Sequence, residues 1–344
     1  MADRKLTLFM GRAGTGKSHA VYEWIKNKLD TCPGDPIIVL VPEAATYKAE
    51  RDLAEFMRTN GQGAAGFTSV RVVGFNRLAY QVYQSLGAAA QQDKGLSKVG
   101  RSLLLRLVMK RHEKQLEVLG AAVKQPQFSD VLQGLIQECR SFKITTDSLR
   151  QGADKLSDGS LERKIKELAL LMDAYEDLVE TRMCDDREGM ELLIEALPQS
   201  PLMKHAHVAI DGFHWFTPLQ YDLLHTLVQN AQDSVITVTM PTDTKDILRQ
   251  STPGALFNRP YELYSILQAR YGSIMDVVKL EKEGRFASPI LQDLSQGFFA
   301  SPQRTSQVQD EADKIPLIIG HNREREADEV VRRMLALVPS KDQA

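Results

Sequence analysis

Cysteines and long apolar runs are scarce in this chain of 344 residues. The three cysteines, Cys32, Cys139 and Cys184, are scattered and include no C-x-x-C pair. That spacing argues against a disulfide framework and against a zinc site, and it favours a reducing compartment. No apolar run approaches the roughly 18 residues that a membrane span needs, and the N-terminal residues lack the apolar segment of a signal peptide. We therefore expect a soluble, cytoplasmic protein that does not contact membranes.

Charge of one sign and metal-ligand motifs are also lacking. The net charge of -2 gives no overall attraction to nucleic acid, so any such contact must come from local patches. The seven histidines show no H-E-x-x-H or other ligand spacing. His205 and His207 are two residues apart and could share one face of a strand, but a partly exposed strand start is the expected explanation.

A glycine-rich loop near the N-terminus is the most informative feature that is present. It reads Gly11-Arg12-Ala13-Gly14-Thr15-Gly16-Lys17-Ser18 and fits G-x-x-x-x-G-K-S/T at every position. Its glycines allow backbone N–H groups to converge on an anion, and the following helix presents its positive end to the same point. Lys17 would reach the β- and γ-phosphates, and the Ser18 hydroxyl would ligate Mg²⁺. The loop predicts that ATP binds through these eight residues.

The sequence before residue 90 alternates strand and helix patterns. We predict strands at 6–10, 36–42 and 70–73 and helices at 17–29, 44–59 and 75–86. The apolar run between Pro36 and Pro42 is typical of a strand buried on both faces. This alternation predicts an α/β fold with a parallel sheet and right-handed crossovers.

The pattern is helical from about residue 97 to residue 197, and the strand–helix alternation then resumes. We predict strands at 207–211, 234–240, 274–280 and 315–320 and helices at 218–230, 261–271 and 324–337. The predicted organisation has a first P-loop NTPase part at 1–95, a helical insertion at 96–197 and a second NTPase part at 198–300. Residues 301–344 would begin a truncated second motor-like domain, so we expect the chain to be a fragment of a longer protein.

Asp211 is the expected metal-side partner of the phosphate loop. It follows an apolar strand pattern, and a phosphate loop needs an acid at the end of a neighbouring strand to hold Mg²⁺. An Asp-Gly turn without function is the alternative explanation. The next position is Gly212, which has no side chain to orient water, and His214 is the one weak candidate for a base. We therefore expect ATP binding with weak or absent hydrolysis.

Several segments in this order resemble the N-terminal region of the AddB family, the second subunit of the bacterial AddAB helicase–nuclease. Beyond the phosphate loop, the resemblance rests on Val-Pro-Glu-Ala-Ala-Thr-Tyr at 41–47, Val-Val-Gly-Phe-Asn-Arg-Leu at 72–78 and Asp-Gly-Phe-His-Trp-Phe-Thr-Pro at 211–218. It covers essentially the whole chain. The family implies a UvrD-like, RecA-like helicase fold. Active helicases of that type carry a glutamate at the place of Gly212, a glutamine at His214 and an aspartate at Trp215.

The resemblance also implies function and partners. It implies an ATP-binding subunit of a heterodimeric helicase/exonuclease that repairs double-strand breaks by homologous recombination, with an AddA-like motor as partner. It further implies engagement of single-stranded DNA or duplex ends and a role in recognising the Chi hotspot. A nuclease domain with a 4Fe-4S cluster would lie downstream of this chain. The resemblance also suggests DNA contacts by Pro42, Thr46, Phe75, Asn76 and Arg77, in loops that follow predicted strands. The alternatives are that Phe75 anchors its helix and that Arg77 is a solvated charge.

Two other classes of function stay open on the sequence alone. A small-molecule kinase could use the same phosphate loop, with the helical insertion supplying a lid. A nucleotide-binding scaffold without hydrolysis is the other. Phosphoryl transfer without DNA dependence would indicate the first, and a dispensable Lys17 would indicate a purely structural loop.

Overall fold

The computed structural model of the chain describes residues 5–60, 68–87, 96–125, 127–181, 189–282, 284–286, 288–297 and 315–337. The chain forms two compact units, residues 1–282 and residues 283–344. The division into NTPase, insertion and second-domain parts stays a prediction. No helix in the described residues is both long enough and apolar enough to cross a bilayer.

The first unit is built on a six-stranded sheet in which every pair of neighbours is parallel. The strands are β1 (Lys5–Gly11), β2 (Ile37–Leu40), β3 (Val70–Val73), β4 (His207–Ile210), β5 (Asp233–Thr239) and β6 (Met275–Lys279). Their order across the sheet is β3-β2-β4-β5-β1-β6. The α/β fold class with a parallel sheet is confirmed, and its strand order is consistent with a RecA-like fold. All six strands end at the same edge, which we call the carboxyl edge.

Helices cover the sheet and fill the connection between β3 and β4. They are α1 (Lys17–Thr31), α2 (Thr46–Thr59), α3 (Phe75–Leu86), α4 (Lys98–His112), α5 (Phe128–Ser141), α6 (Thr146–Ala153), α7 (Gly159–Thr181), α8 (Gly189–Ala196), α9 (Pro218–Asn230), α10 (Thr244–Arg249) and α11 (Asn258–Tyr271). Between residues 96 and 206 the described residues contain no strand, as the periodicity predicts.

Alternating strand residues divide the core into two layers. On β2, Ile38 and Leu40 pack with α3, α9 and α11, whereas Ile37 and Val39 pack with α1 and α2. Because both faces are covered, the strands consist of nearly continuous apolar residues, as expected for a parallel sheet. A third apolar cluster lies within α4, α5 and α7, so the helical region has a core of its own.

His207 corrects one expectation from the sequence. The start of β4 is not partly exposed, since the His207 side chain is only 1% accessible. The reason is that β4 lies inside the sheet, between β2 and β5, with the Trp24 ring of α1 centred 6.2 Å away.

The second unit contains α12 (Pro289–Gly297) and α13 (Arg323–Leu337). The predicted helix at 324–337 is confirmed, but the predicted strand at 315–320 is wrong, because this segment has no regular structure. A strand requires a hydrogen-bonded neighbour, and the described part of the chain offers none to this apolar segment, whose Leu317 and Ile319 are 83% exposed. The polar stretch at 301–314 lies outside the described residues.

Candidate nucleotide and nucleic-acid site

The glycine-rich loop joins β1 to α1 at the carboxyl edge. Gly14 and Gly16 have φ angles of 84° and 82°, in the left-handed region that glycine adopts without strain. A Cβ on Gly11 would collide with the Thr15 hydroxyl and the Leu280 carbonyl, so only glycine fits there. In the described residues, no side chain caps the N-terminus of α1, which leaves its first N–H groups available to a ligand. The loop can therefore accept an anion at the helix N-terminus.

Lys17 lies folded back over this loop. Its Nζ donates hydrogen bonds to the Gly11 carbonyl at 3.0 Å and the Arg12 carbonyl at 2.7 Å. Burial lowers the pKa of Lys17 to about 8, and the negative charge of Asp211 opposes that shift. An anion bound in the loop would raise the pKa of Lys17 and so favour its protonated, charged form.

Asp211 lies directly after β4, at the same edge as the glycine-rich loop. Its backbone N–H donates to the Leu40 carbonyl at 3.0 Å, and the Thr237 hydroxyl donates to Oδ1 at 2.6 Å. Asp211 is close enough to α1 to influence two of its residues. Burial raises the pKa of Tyr22 to about 12, and the charge of Asp211 adds to that shift, whereas in Lys17 the same charge opposes the larger effect of burial. The structure thus brings the acid to the side of the sheet where the glycine-rich loop lies, with β5 between the two strands.

Thr237 is a site residue that the sequence reasoning missed. It is buried on β5, and its hydroxyl both donates to Asp211 and accepts the Gly212 N–H at 3.3 Å. A hydroxyl inside an apolar strand, between Ile236 and Val238, was the available signal. Its effect is to fix the orientation of the Asp211 carboxylate.

The position after Asp211 offers no catalytic side chain. Gly212 has a φ of 81°, and a Cβ there would lie 3.4 Å from the Pro42 ring. His214 is exposed in the loop that follows. The left-handed backbone explains why glycine occupies this place.

The loops after β2 and β3 meet at the same edge through Glu43. Its Oε1 accepts the Asn76 backbone N–H at 2.9 Å, which caps the start of α3. The carboxylate lies so close to Gly74 that a Cβ at position 74 would displace it from its present place. The Thr46 hydroxyl donates to the Glu43 carbonyl at 2.9 Å. Glu43 is a second residue that the sequence reasoning missed, although it stands in the quoted Val-Pro-Glu segment.

The five predicted DNA-contact residues fall into two groups. The side chains of Asn76 and Arg77 are exposed at the start of α3, whereas Pro42, Thr46 and Phe75 are half-buried. The Phe75 ring packs 5.4 Å from that of Phe213, which begins a row of aromatic rings into the core. This packing gives Phe75 a structural role in anchoring α3.

Exposed aromatic rings lie close to this edge and were also missed. Trp215, in the loop after Asp211, is 46% exposed and stacks on Phe142 with ring centroids 6.2 Å apart. The Arg259 guanidinium lies 5.9 Å from the centre of the Trp215 ring. Phe142 follows α5, so the pair joins the helical region to the edge of the sheet.

Comparison with known proteins places the chain in a family. Residues 8–295 match the family described as "ADDB, N-terminal". The chain belongs to this family. It is also similar to proteins that are named as one subunit of an ATP-dependent helicase/deoxyribonuclease. The relative from Pelotomaculum thermopropionicum is 31% identical over 342 residues, which cover 96% of this chain and 29% of that protein.

Two further relatives carry the same name. The one from Desulforudis audaxviator is 30% identical over 341 residues, covering 96% of this chain and 28% of the relative. The one from Heliobacterium modesticaldum is 35% identical over 233 residues, covering 65% of this chain and 18% of the relative. The chain thus spans less than a third of the length of these relatives.

Proposed function

We propose that this chain is the ATP-binding, DNA-engaging N-terminal part of one subunit of an ATP-dependent helicase/deoxyribonuclease. The observation that carries the proposal is the shared carboxyl edge, where the glycine-rich loop, Asp211 and the loops after β2, β3 and β4 meet. Family membership and the names of the relatives support the same function. Those relatives are named as subunits, which supports a partner chain. We propose that this partner is an AddA-like motor in a heterodimer that acts in recombinational repair.

When ATP binds, Lys17 would exchange its hydrogen-bond acceptors. Phosphate oxygens would replace the carbonyls of Gly11 and Arg12 as acceptors for the ammonium, and the N-terminus of α1 would face the same anion. The Ser18 hydroxyl and the Asp211 carboxylate are oxygen donors of the kind that Mg²⁺ prefers, so these two residues fit the metal. The ion would neutralise phosphate charge, while Thr237 holds the carboxylate in place.

Hydrolysis at this site should be slow. Water attack on a γ-phosphate needs a side chain that orients or deprotonates the water. Gly212 cannot supply one, and the exposed His214 in the same loop is the weak candidate that remains. We therefore propose that the chain binds ATP but contributes little as a motor.

DNA would run along the carboxyl edge beside the nucleotide. Arg77 and Asn76 are placed to meet phosphates, and the exposed rings of Trp215 and Phe142 are placed to stack on bases. Stacking on an aromatic ring contributes about 1–3 kcal/mol per base and works with any base. We propose that single-stranded DNA is held here and that, in the complete complex, the same loops take part in Chi recognition.

ATP binding is tested by titrating a fluorescent ATP analogue into the full chain with and without Mg²⁺. We expect saturable binding that Lys17→Ala weakens roughly 30- to 150-fold. Lys26→Ala should leave it unchanged, because Lys26 lies on the same helix but away from the loop. Asp211→Asn should remove the benefit of Mg²⁺ without removing Mg²⁺-free binding. Absence of binding to the wild-type chain would favour the scaffold alternative, and phosphoryl transfer to a metabolite would favour the kinase.

DNA binding is tested by the fluorescence of Trp215. The chain has two tryptophans, so Trp24→Phe leaves Trp215 as the only one, and excitation beyond the tyrosine absorption band selects it. Oligothymidine should quench this emission, and Arg77→Ala should weaken the quenching. Arg58→Ala is the matched control, because Arg58 is exposed near the far end of α2, away from the carboxyl edge. If the DNA binds but the emission does not change, the bound strand does not contact Trp215, and this part of the proposal is wrong.

Chi recognition is tested with the assembled heterodimer, whereas slow hydrolysis is tested by long incubation of the chain alone. A heterodimer should release a hotspot-containing strand more slowly than a scrambled strand, and Arg77→Ala should reduce that difference. ATP turnover by the chain alone should stay slow when DNA is added. A large DNA-stimulated rate that depends on Lys17 would contradict the proposal of a weak motor.

A further inference from the structure

The opposite edge of the sheet, where the strands begin, contains an unusual histidine. His207 is the first residue of β4 and is 1% exposed. Neither of its ring nitrogens has a hydrogen-bond partner within the part of the chain that the structure describes. Buried polar groups nearly always have a partner, because leaving one unsatisfied is costly. The imidazole therefore requires an explanation.

Two acidic side chains and a thiol surround this imidazole. Asp35 Oδ2 lies 3.6 Å from Nε2, and Asp233 Oδ2 lies 3.6 Å from Nδ1, both too far for a hydrogen bond. The Cys32 thiol completes a group with Asp35 and His207 in which one ligand atom from each lies within 4.8 Å of the others. Burial and the nearby Lys28 lower the pKa of His207, against the opposing effect of the two carboxylates, and this favours a neutral ring.

We propose that Cys32, Asp35 and His207 form a binding site for one zinc ion. A thiolate, a carboxylate and a neutral imidazole are the three kinds of ligand that Zn²⁺ takes in proteins, and a water molecule would complete a tetrahedral set. On binding, the Cys32 thiol loses its proton to solvent as the sulfur–zinc bond forms, and His207 donates the lone pair of Nε2. The site lies at the far edge of the sheet from the glycine-rich loop.

The required movement is small and falls on a loop. Metal–ligand bonds of about 2.0–2.3 Å at tetrahedral angles bring ligand atoms to roughly 3.5 Å from one another. Because the three ligand atoms already lie within 4.8 Å of one another, no pair must approach by more than about 1.3 Å. Cys32 and Asp35 lie in the short connection between α1 and β2, whereas His207 is fixed in the sheet. The loop can close onto the histidine without disturbing the core.

Asp233 supplies the support that a metal-bound histidine usually has. Its carboxylate faces Nδ1, so it can accept the Nδ1–H and leave the Nε2 lone pair directed at the metal. Asp233 is itself paired with Lys28 of α1. Zinc at this point would tie the end of α1 to the starts of β4 and β5.

Cobalt is the probe, because Co²⁺ enters zinc sites and its spectrum reports a thiolate ligand. The full chain carries Trp215→Phe, so that Trp24, whose ring centre is 6.2 Å from that of His207, is the only tryptophan and can be excited selectively. We expect one Co²⁺ per chain, a thiolate-to-cobalt charge-transfer absorption and quenching of Trp24. Zn²⁺ should displace the Co²⁺ and abolish both signals.

Variants decide whether the proposed ligands are the true ones. Cys32→Ser should remove the charge-transfer absorption and weaken metal binding more than about tenfold. Loss of a residue that only hydrogen-bonds to a metal ligand already costs about tenfold in metal affinity, so loss of a ligand should cost more. Cys139→Ala is the matched control, because this thiol lies in the separate helical core and should be dispensable. Asp35→Asn, on the same loop, should weaken binding and also serves if Cys32→Ser fails to fold. No charge-transfer absorption in the wild-type chain, or one that survives Cys32→Ser, would overturn the proposal.

Discussion

The two edges of the sheet place polar side chains in opposite ways. At the carboxyl edge three charged side chains have hydrogen-bond partners: Lys17 donates to carbonyls, Asp211 accepts from Thr237, and Glu43 accepts from the Asn76 backbone. At the other edge, His207 is buried, and neither of its ring nitrogens has a hydrogen-bond partner among the residues that the structure describes. The first arrangement is ordered before any ligand arrives, and the second needs a further ligand. A motif marks the first edge, whereas only the fold brings the residues of the second together.

The largest expected effect is the loss of ATP affinity in Lys17→Ala, and it tests whether the two edges bind their ligands independently. Lys17→Ala removes a charged hydrogen-bond donor from the phosphates, which should cost about 2–3 kcal/mol, or roughly 30- to 150-fold in ATP affinity. Cobalt binding should be unchanged in this variant, because the proposed metal ligands lie at the opposite edge. Cys32→Ser should show the reverse pattern. Equal losses of both ligands in either variant would show that the edges are not independent.

The next effect tests the packing of the carboxyl edge without any ligand. Gly74→Ala would displace the Glu43 carboxylate from its place beside α3, so it should cost about as much as loss of that cap, about 1 kcal/mol. Glu43→Ala alone removes the cap on Asn76 and should cost about 1 kcal/mol. Chemical denaturation measures both.

The double variant provides the control for this clash. With Glu43 shortened, the alanine at position 74 has space, so Glu43→Ala with Gly74→Ala should be more stable than the two single losses add up to. Strict additivity would mean that the carboxylate and the glycine do not constrain each other. Gly134→Ala, in α5, is the control, because this glycine has no left-handed φ and a Cβ there meets no described atom within 4 Å. It separates the collision from the backbone effect of removing a glycine.

The sequence could predict the fold because hydrophobic periodicity is local. The strand at 70–73 and the helices at 75–86 and 218–230 have the predicted bounds. The predicted strand at 315–320 is wrong for the complementary reason, since apolar β-branched residues indicate a strand only where a neighbouring strand exists. The phosphate loop stands out in the sequence because its eight residues are contiguous.

The rest of the site depends on distances that no local pattern contains. Thr237 meets Asp211 across 26 positions, and Glu43 meets Asn76 across 33. Cys32 and His207 are still further apart in the sequence, so the rule that zinc cysteines occur in close pairs could not find them. His207 itself could not be recognised as buried, because burial at a strand start depends on which strands lie on either side.

The pH dependence of ATP binding gives a smaller effect at the carboxyl edge. With a pKa of about 8 in the free chain, Lys17 is mostly protonated below pH 8 and loses its charge above it. A bound triphosphate would raise that pKa, so binding should take up a proton above pH 8. We expect ATP affinity to be level from pH 6.5 to 7.5 and to fall by up to tenfold per pH unit above pH 8.

The control for this titration is the variant without the lysine. ATP binding by Lys17→Ala, measured at high nucleotide concentration, should not show the fall above pH 8. A fall that persists in Lys17→Ala would assign the titration to another group. Cobalt binding at the other edge should instead strengthen as pH rises, since the Cys32 thiol must lose its proton.

The smallest expected effect concerns Thr237. It tests whether the hydrogen bond from Thr237 to Asp211 contributes to Mg²⁺-dependent ATP binding at the carboxyl edge. Thr237→Val keeps the shape of the side chain but removes the hydrogen bonds to Asp211 and Gly212. The carboxylate should then be less well oriented, at a cost of about 1 kcal/mol or roughly fivefold in the Mg²⁺ concentration needed for tight ATP binding. ATP binding without Mg²⁺ should not change. Thr7→Val is the matched control, because it is the same substitution on β1, nearer the opposite edge of the sheet. An equal effect in both variants would mean that loss of any strand hydroxyl, and not of the one on Asp211, governs the response to Mg²⁺.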